Sequence, residues 1–99
     1  MTEYLDRLKR DARILILQLL EEAPRYTSNV PMLRALLDEC GIVFTSDQLE
    51  GEVAWLAEQG LATIERNGPL TVLTATVRGL EVAAGIARHP GVERPKPKG

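Results

Sequence analysis

The residues of this chain best placed to do chemistry lie between Thr45 and Glu58, and most carry negative charge or accept hydrogen bonds. Asp47, Gln48, Gly51, Glu52, Trp55 and Glu58 share one face of a helix, because successive residues turn by about 100°. Leu49, Val53 and Leu56 make the opposite, inward stripe, with Ala57 beside it. Thr45, Ser46 and Gln48 have side chains that can meet phosphates or base edges in a duplex groove. Glu52, Trp55 and Glu58 offer a different chemistry, an acidic protein contact around an aromatic anchor that fills a partner's pocket. In a third placement the acids face water and Trp55 completes the core, since tryptophan is seldom fully inside. From Thr45 to Gly60 there is no lysine or arginine. Neutralising phosphates supplies most non-specific affinity for nucleic acid, and this helix neutralises none.

Two further groups carry cations. Arg66, Asn67 and Gly68 sit at the tip of an expected hairpin, where an arginine can enter a minor groove or meet a phosphate. The same residues also read simply as a turn. Arg88, Arg94, Lys96 and Lys98 face only Glu93 and are the one basic concentration in the chain. Spaced by prolines, they suit an arm laid along phosphates or across an acidic helix, or equally a solubilising end.

Four helices and a hairpin position these groups. The first helix is predicted from about Thr2 to Glu22, with Leu5, Leu8, Ala12, Leu15, Ile16 and Leu19 inward. A loop from Arg25 to Asn29 follows. Ser28 or Asn29 then caps a second helix whose buried side is Leu33, Leu36, Leu37 and Cys40, ended by Gly41 and Ile42. Thr45 with Gln48 forms a capping box for the third helix, which Gly60 and Leu61 close. Strands near Leu61–Arg66 and Leu70–Ala75 flank an Asn67-Gly68 turn. Thr76 caps a fourth helix running to about Arg88.

A third helix followed by a hairpin and another helix is the order of a winged helix-turn-helix, so the expected class is α+β. The winged-helix domain is expected over residues 1–89, with a Pro/Lys-rich mobile tail over 90–99. Ile14 and Leu17, with Val82 and Ile86, form second aliphatic stripes on the first and last helices. Each such side chain contributes roughly 1.5–3 kcal/mol when buried. A homodimer through these helices is therefore expected, the alternative being that the fourth helix or the tail folds back over the first.

The segments Ala54-Trp55-Leu56-Ala57-Glu58-Gln59-Gly60-Leu61, Gly79-Leu80-Glu81-Val82-Ala83-Ala84-Gly85 and Pro90-Gly91-Val92, with Arg94-Pro95, carry a resemblance. The chain resembles small winged-helix proteins of the ArsR/MarR-like kind encoded by Mu-like phages and prophages. That resemblance implies a DNA-binding transcriptional regulator of phage type. In such relatives the start of the third helix tends to carry arginine, where this chain has Asp47, Glu50 and Glu52. The alternative expectation is a winged-helix protein-interaction module, serving phage assembly or packaging.

Composition sets the outer limits. Ninety-nine residues with 44% apolar and 26% charged side chains fit one domain, and a net charge of −2 gives no global pull toward DNA or membranes. Cys40 is alone, so no intrachain disulfide forms and a reducing compartment, the cytoplasm of a bacterial host, is expected. No apolar run reaches the roughly 18 residues that span a bilayer. One cysteine and one histidine cannot build a thiolate metal cluster, and no Gly-rich phosphate loop, nucleophile elbow or HExxH occurs. Neither a cofactor, a metal nor enzyme activity is expected.

Overall fold

The computed structural model of the protein describes residues 2–96. Its elements are α1 (Thr2–Glu22), β1 (Thr27–Asn29), α2 (Val30–Glu39), α3 (Ser46–Glu58), β2 (Ala62–Asn67), β3 (Leu70–Ala75) and α4 (Val77–Ala83), with a 3-10 turn at Pro24–Tyr26. This is an α+β chain of four helices and a three-stranded antiparallel sheet, an arrangement compatible with a winged helix.

The helix starts follow from local chemistry. The Met32 N–H donates to Asn29 Oδ1 at 2.8 Å, and the Gly79 N–H donates to Thr76 Oγ1 at 3.0 Å. At α3 the box is reciprocal: Gln48 N–H donates to Thr45 Oγ1 at 3.1 Å, and Thr45 N–H donates to Gln48 Oε1 at 2.8 Å. α2 and α3 stop at Gly41 and Gly60, whose φ angles of 88° and 74° are open to glycine. The next residues, Ile42 and Leu61, donate back to the Leu37 and Leu56 carbonyls.

α4 stops by the same device, earlier than the sequence suggested. Gly85 takes φ 80° and the Ile86 N–H reaches the Glu81 carbonyl at 2.9 Å, so the helix ends at Ala83 instead of Arg88.

β3 is the central strand, in the order β1-β3-β2, and buries alternate residues Thr71, Leu73 and Ala75. β1 occupies the end of the expected loop, with Ser28 opposite Leu73. In the hairpin Asn67 pairs with Leu70, so Gly68 and Pro69 form the two-residue turn. Pro69 cannot take the second positive φ of a type I′ turn, which leaves the type II′ pattern with Gly68 first, at φ 61°.

The core corrects the expected stripes. Ile14, Leu17 and Val82 are 5%, 0% and 2% exposed within a single chain, and only Ile86 stands out, at 78%. α1 lies between α4 on one side and α2 and α3 on the other, so both of its faces are covered along its second half. Three of the four aliphatics from which a homodimer was expected are therefore packed within one chain, and Ile86 alone remains of that stripe. Leu5, expected inward, is exposed, as is Cys40, because α1 outruns its neighbours and α2 ends before the cysteine turns inward. The expected mobile tail returns across α1 over its described part: Val92 is buried and the Glu93 N–H donates to the Arg10 carbonyl.

Candidate nucleic-acid interface and the clasp behind it

The amino-terminal turn of α3 stands open. Thr45, Ser46, Asp47, Gln48 and Gly51 are exposed, and a side chain in place of Gly51's hydrogen would meet open space. Thr45 and Gln48 are already engaged in the capping box, so their side chains do two jobs if they also contact a ligand. Ser46 has a neighbour that sequence reading missed. Arg34 Nε donates to the Phe44 carbonyl at 2.8 Å, and Arg34 NH1 donates to Ser46 Oγ at 3.1 Å. A guanidinium is thereby fixed beside the positive end of the α3 dipole. The sequence signal was an arginine on the outward side of α2, a position too common to single out.

The hairpin is tied to α3 rather than reaching away from it. Arg66 NH1 donates to Thr71 Oγ1 at 2.9 Å, and Thr71 Oγ1 donates to the Glu50 carboxylate at 3.0 Å. Arg66 stays exposed but leans back toward Glu50, 3.9 Å away, while Asn67 remains exposed at the tip. The basic groups of the carboxyl-terminal segment lie elsewhere. Arg94 and Lys96 line a cleft with Gln18 and Glu21 of α1 and Ala83 of α4. Lys98 falls outside the described residues.

Glu52 and Trp55 do not form a water-facing patch with Glu58; the placement with Trp55 packed against the core is the one observed. Glu58 is exposed. Glu52 is 7% exposed and accepts from Arg13 Nε of α1 at 2.6 Å. The Arg13 guanidinium lies 3.8 Å from the Trp55 ring centroid, and its NH1 donates to the Gly91 carbonyl at 2.9 Å. Trp55 is half-buried against the core and meets the His89 ring edge-on at 5.1 Å. Gly91 packs so close that an added Cβ would lie 2.6 Å from the indole. This clasp joins α1, α3 and the returning segment. The acidic face lost its anchor because a cation from α1 needed Glu52 and the ring above it.

The clasp also fixes the state of His89. The Gly91 N–H donates to Nδ1 at 3.0 Å, so that nitrogen carries no proton and Nε2–H donates to Gln59 Oε1 at 2.9 Å. Burial, then Arg78 and Arg13, hold the imidazole below its ordinary value of 6.5. The ring is neutral in both states above that value. As pH falls through it, the unfolded chain takes up the proton first, so stability is lost until the folded ring titrates too. Melting temperatures from about pH 7 down to pH 5 should therefore fall less in His89→Gln than in the parent. Parallel curves for the two proteins would show that the ring is not held neutral.

Among the described residues no helix is long and apolar enough to cross a membrane. No group of three or more His, Cys, Asp and Glu side chains among them could hold a metal ion. These elements define a small α+β protein with an exposed, capped third helix followed directly by a hairpin. The chain belongs to the family of gp26 of Escherichia phage Mu, an uncharacterized protein to which it is 40% identical over 93 residues, 94% of this chain and 96% of that protein. It is also 35% identical over 63 residues to an uncharacterized protein of Haemophilus influenzae, covering 64% of this chain and 61% of that one. No family model matches the chain, and no solved structure matches it.

Proposed function

We propose that this chain is a winged-helix DNA-binding protein, a transcriptional regulator of phage or prophage type acting in the cytoplasm of a bacterial host. α2 and α3 would form the helix-turn-helix, and the β2–β3 hairpin the wing. The observation that carries this reading is Arg34, clamped by the Phe44 carbonyl and Ser46 at the open first turn of α3. A fixed cation beside unpaired helix N–H groups is a natural seat for a backbone phosphate. It would leave Ser46, Gln48 and Gly51 facing the groove.

A second reading is supported by charge. Asp47 and Glu58 are exposed and form no ion pair among the described residues, and α3 carries no cation of its own. A winged helix with that surface would contact a basic protein, in phage assembly or packaging. Anisotropy titration of labelled random duplex DNA separates the two readings. DNA binding predicts affinity that falls steeply between about 50 and 200 mM salt and weakens in Arg34→Ala. Absence of binding at the lowest salt removes the first reading and leaves the second.

A further inference from the structure

Charge on this protein is unevenly spread. α2, α3 and the hairpin carry Arg34 and Arg66 against Asp38, Glu39, Asp47, Glu50, Glu58 and Glu65, with Glu52 buried on Arg13. The cations gather on the opposite edge, where residues 88–96 cross α1. Arg94, Lys96 and Arg88 are exposed there, and Lys9 is exposed on the neighbouring turn of α1. None of these four forms an ion pair among the described residues. Of the acids in the same area, Glu93 holds Arg7 and Arg10, Asp11 holds Arg7 and Glu52 holds Arg13, which leaves Asp6 and Glu21 against those four cations. Between Lys9 and the crossing segment lies an open notch of about 210 Å³, walled by Asp6, Lys9, Arg10, Arg13, Pro90 and Gly91.

We infer that this α1–carboxyl-segment edge, with Lys9, Arg94 and Lys96 as its contacts, is the surface that meets the phosphate backbone of a nucleic acid. The inference rests on the nucleic-acid reading above and relocates where its affinity arises. A protein gains salt-sensitive affinity from each phosphate that a lysine or arginine neutralises. α3 supplies no such residue, and Arg66 is drawn toward Glu50. The edge across α1 supplies several, held in place because the clasp and the Glu93–Arg10 hydrogen bond pin the segment that carries them. Pro90 is the one apolar side chain in the notch walls, which hold no aromatic or large aliphatic anchor for a protein partner, and their three cations outnumber Asp6, a balance that suits phosphate.

The test uses the full chain and its Lys9→Ala/Arg94→Ala/Lys96→Ala variant, all three sites being exposed, with circular dichroism as the check on folding. Duplex DNA binding is followed by anisotropy across salt. The triple variant should bind at least about tenfold more weakly at low salt, and the slope of log affinity against log salt should fall by about three. If the parent binds and the triple variant binds as well with the same slope, while Arg34→Ala abolishes binding, the edge is not the contact and only this inference fails. If the parent fails to bind duplex at the lowest salt, this inference and the nucleic-acid reading fail together. Should low salt instead make the parent self-associate through these residues without binding DNA, the edge meets the acidic face of a second copy and the inference is overturned.

Discussion

Gly79→Ala is expected to lower the melting temperature by roughly 10–20 °C, a large shift for a single methyl group. In an exposed helix interior the same change raises stability by up to about 1 kcal/mol, because alanine loses less backbone entropy. Here the added Cβ would lie 2.0 Å from the Leu61 carbonyl oxygen and 3.3 Å from Leu17 Cδ2. The backbone at Leu61 cannot yield, since its carbonyl also accepts from the Thr76 N–H, and Thr76 Oγ1 donates to the Gly60 carbonyl at 2.7 Å. α4 would have to lift off the turn between α3 and β2. Overpacking of this kind costs about 3 kcal/mol or more. Gly51→Ala, on the open face of α3, is the control and should hold or raise the melting temperature. Equal behaviour of the two alanine variants in thermal melts would refute the close approach.

The second large effect is expected at Arg13. Its side chain and that of Glu52 are 14% and 10% exposed, so removing the guanidinium strands a carboxylate with little water to solvate it. Arg13→Met should cost about 3–5 kcal/mol, the usual result of breaking a buried pair from one side. Replacing both partners, as Arg13→Met/Glu52→Leu, should recover most of that loss, because no unpaired charge remains. Trp55 is the only tryptophan and lies under the guanidinium, so its emission reports the clasp directly. A red shift is expected in the single variant, as Gly91 loses its donor and water reaches the ring. Chemical denaturation giving simple addition of the two single losses would show that the residues act independently.

Much of the frame was legible because it is written locally. The Thr45–Gln48 box, the caps at Asn29 and Thr76, and the stops at Gly41 and Gly60 each need only a few neighbouring residues. The third stop, Gly85 with Ile86, has the same signature, yet Val82 and Ile86 at a spacing of four looked like one continuing helix face. β1 escaped because Thr27, Ser28 and Asn29 carry no apolar alternation; their pairing is imposed by the free edge of β3. The clasp was not legible either. Arg13 meets Glu52 and Gly91, 39 and 78 residues away, and no periodicity links positions so distant. A clue existed in Arg13 itself, a cation set between Ala12 and Ile14 in an apolar stretch, which requires a buried acid somewhere in the fold. Without that partner Glu52 looked like a surface acid in every expected placement, and only the placement with Trp55 against the core matches the fold.

With β3 in the middle, the sheet has two rims, and they differ. β1 is three residues long and leads straight into α2, which leaves little backbone for another strand to grip. β2 is longer and keeps its outer row of amides and carbonyls unpaired, a template on which a stray extended chain can add itself. Glu65 and Arg66 stand on that strand and Pro69 closes its turn, so a neutral, flat chain finds charge to desolvate and no donor at the corner. Those three residues thus guard the molecule against edge-to-edge aggregation when many copies crowd together.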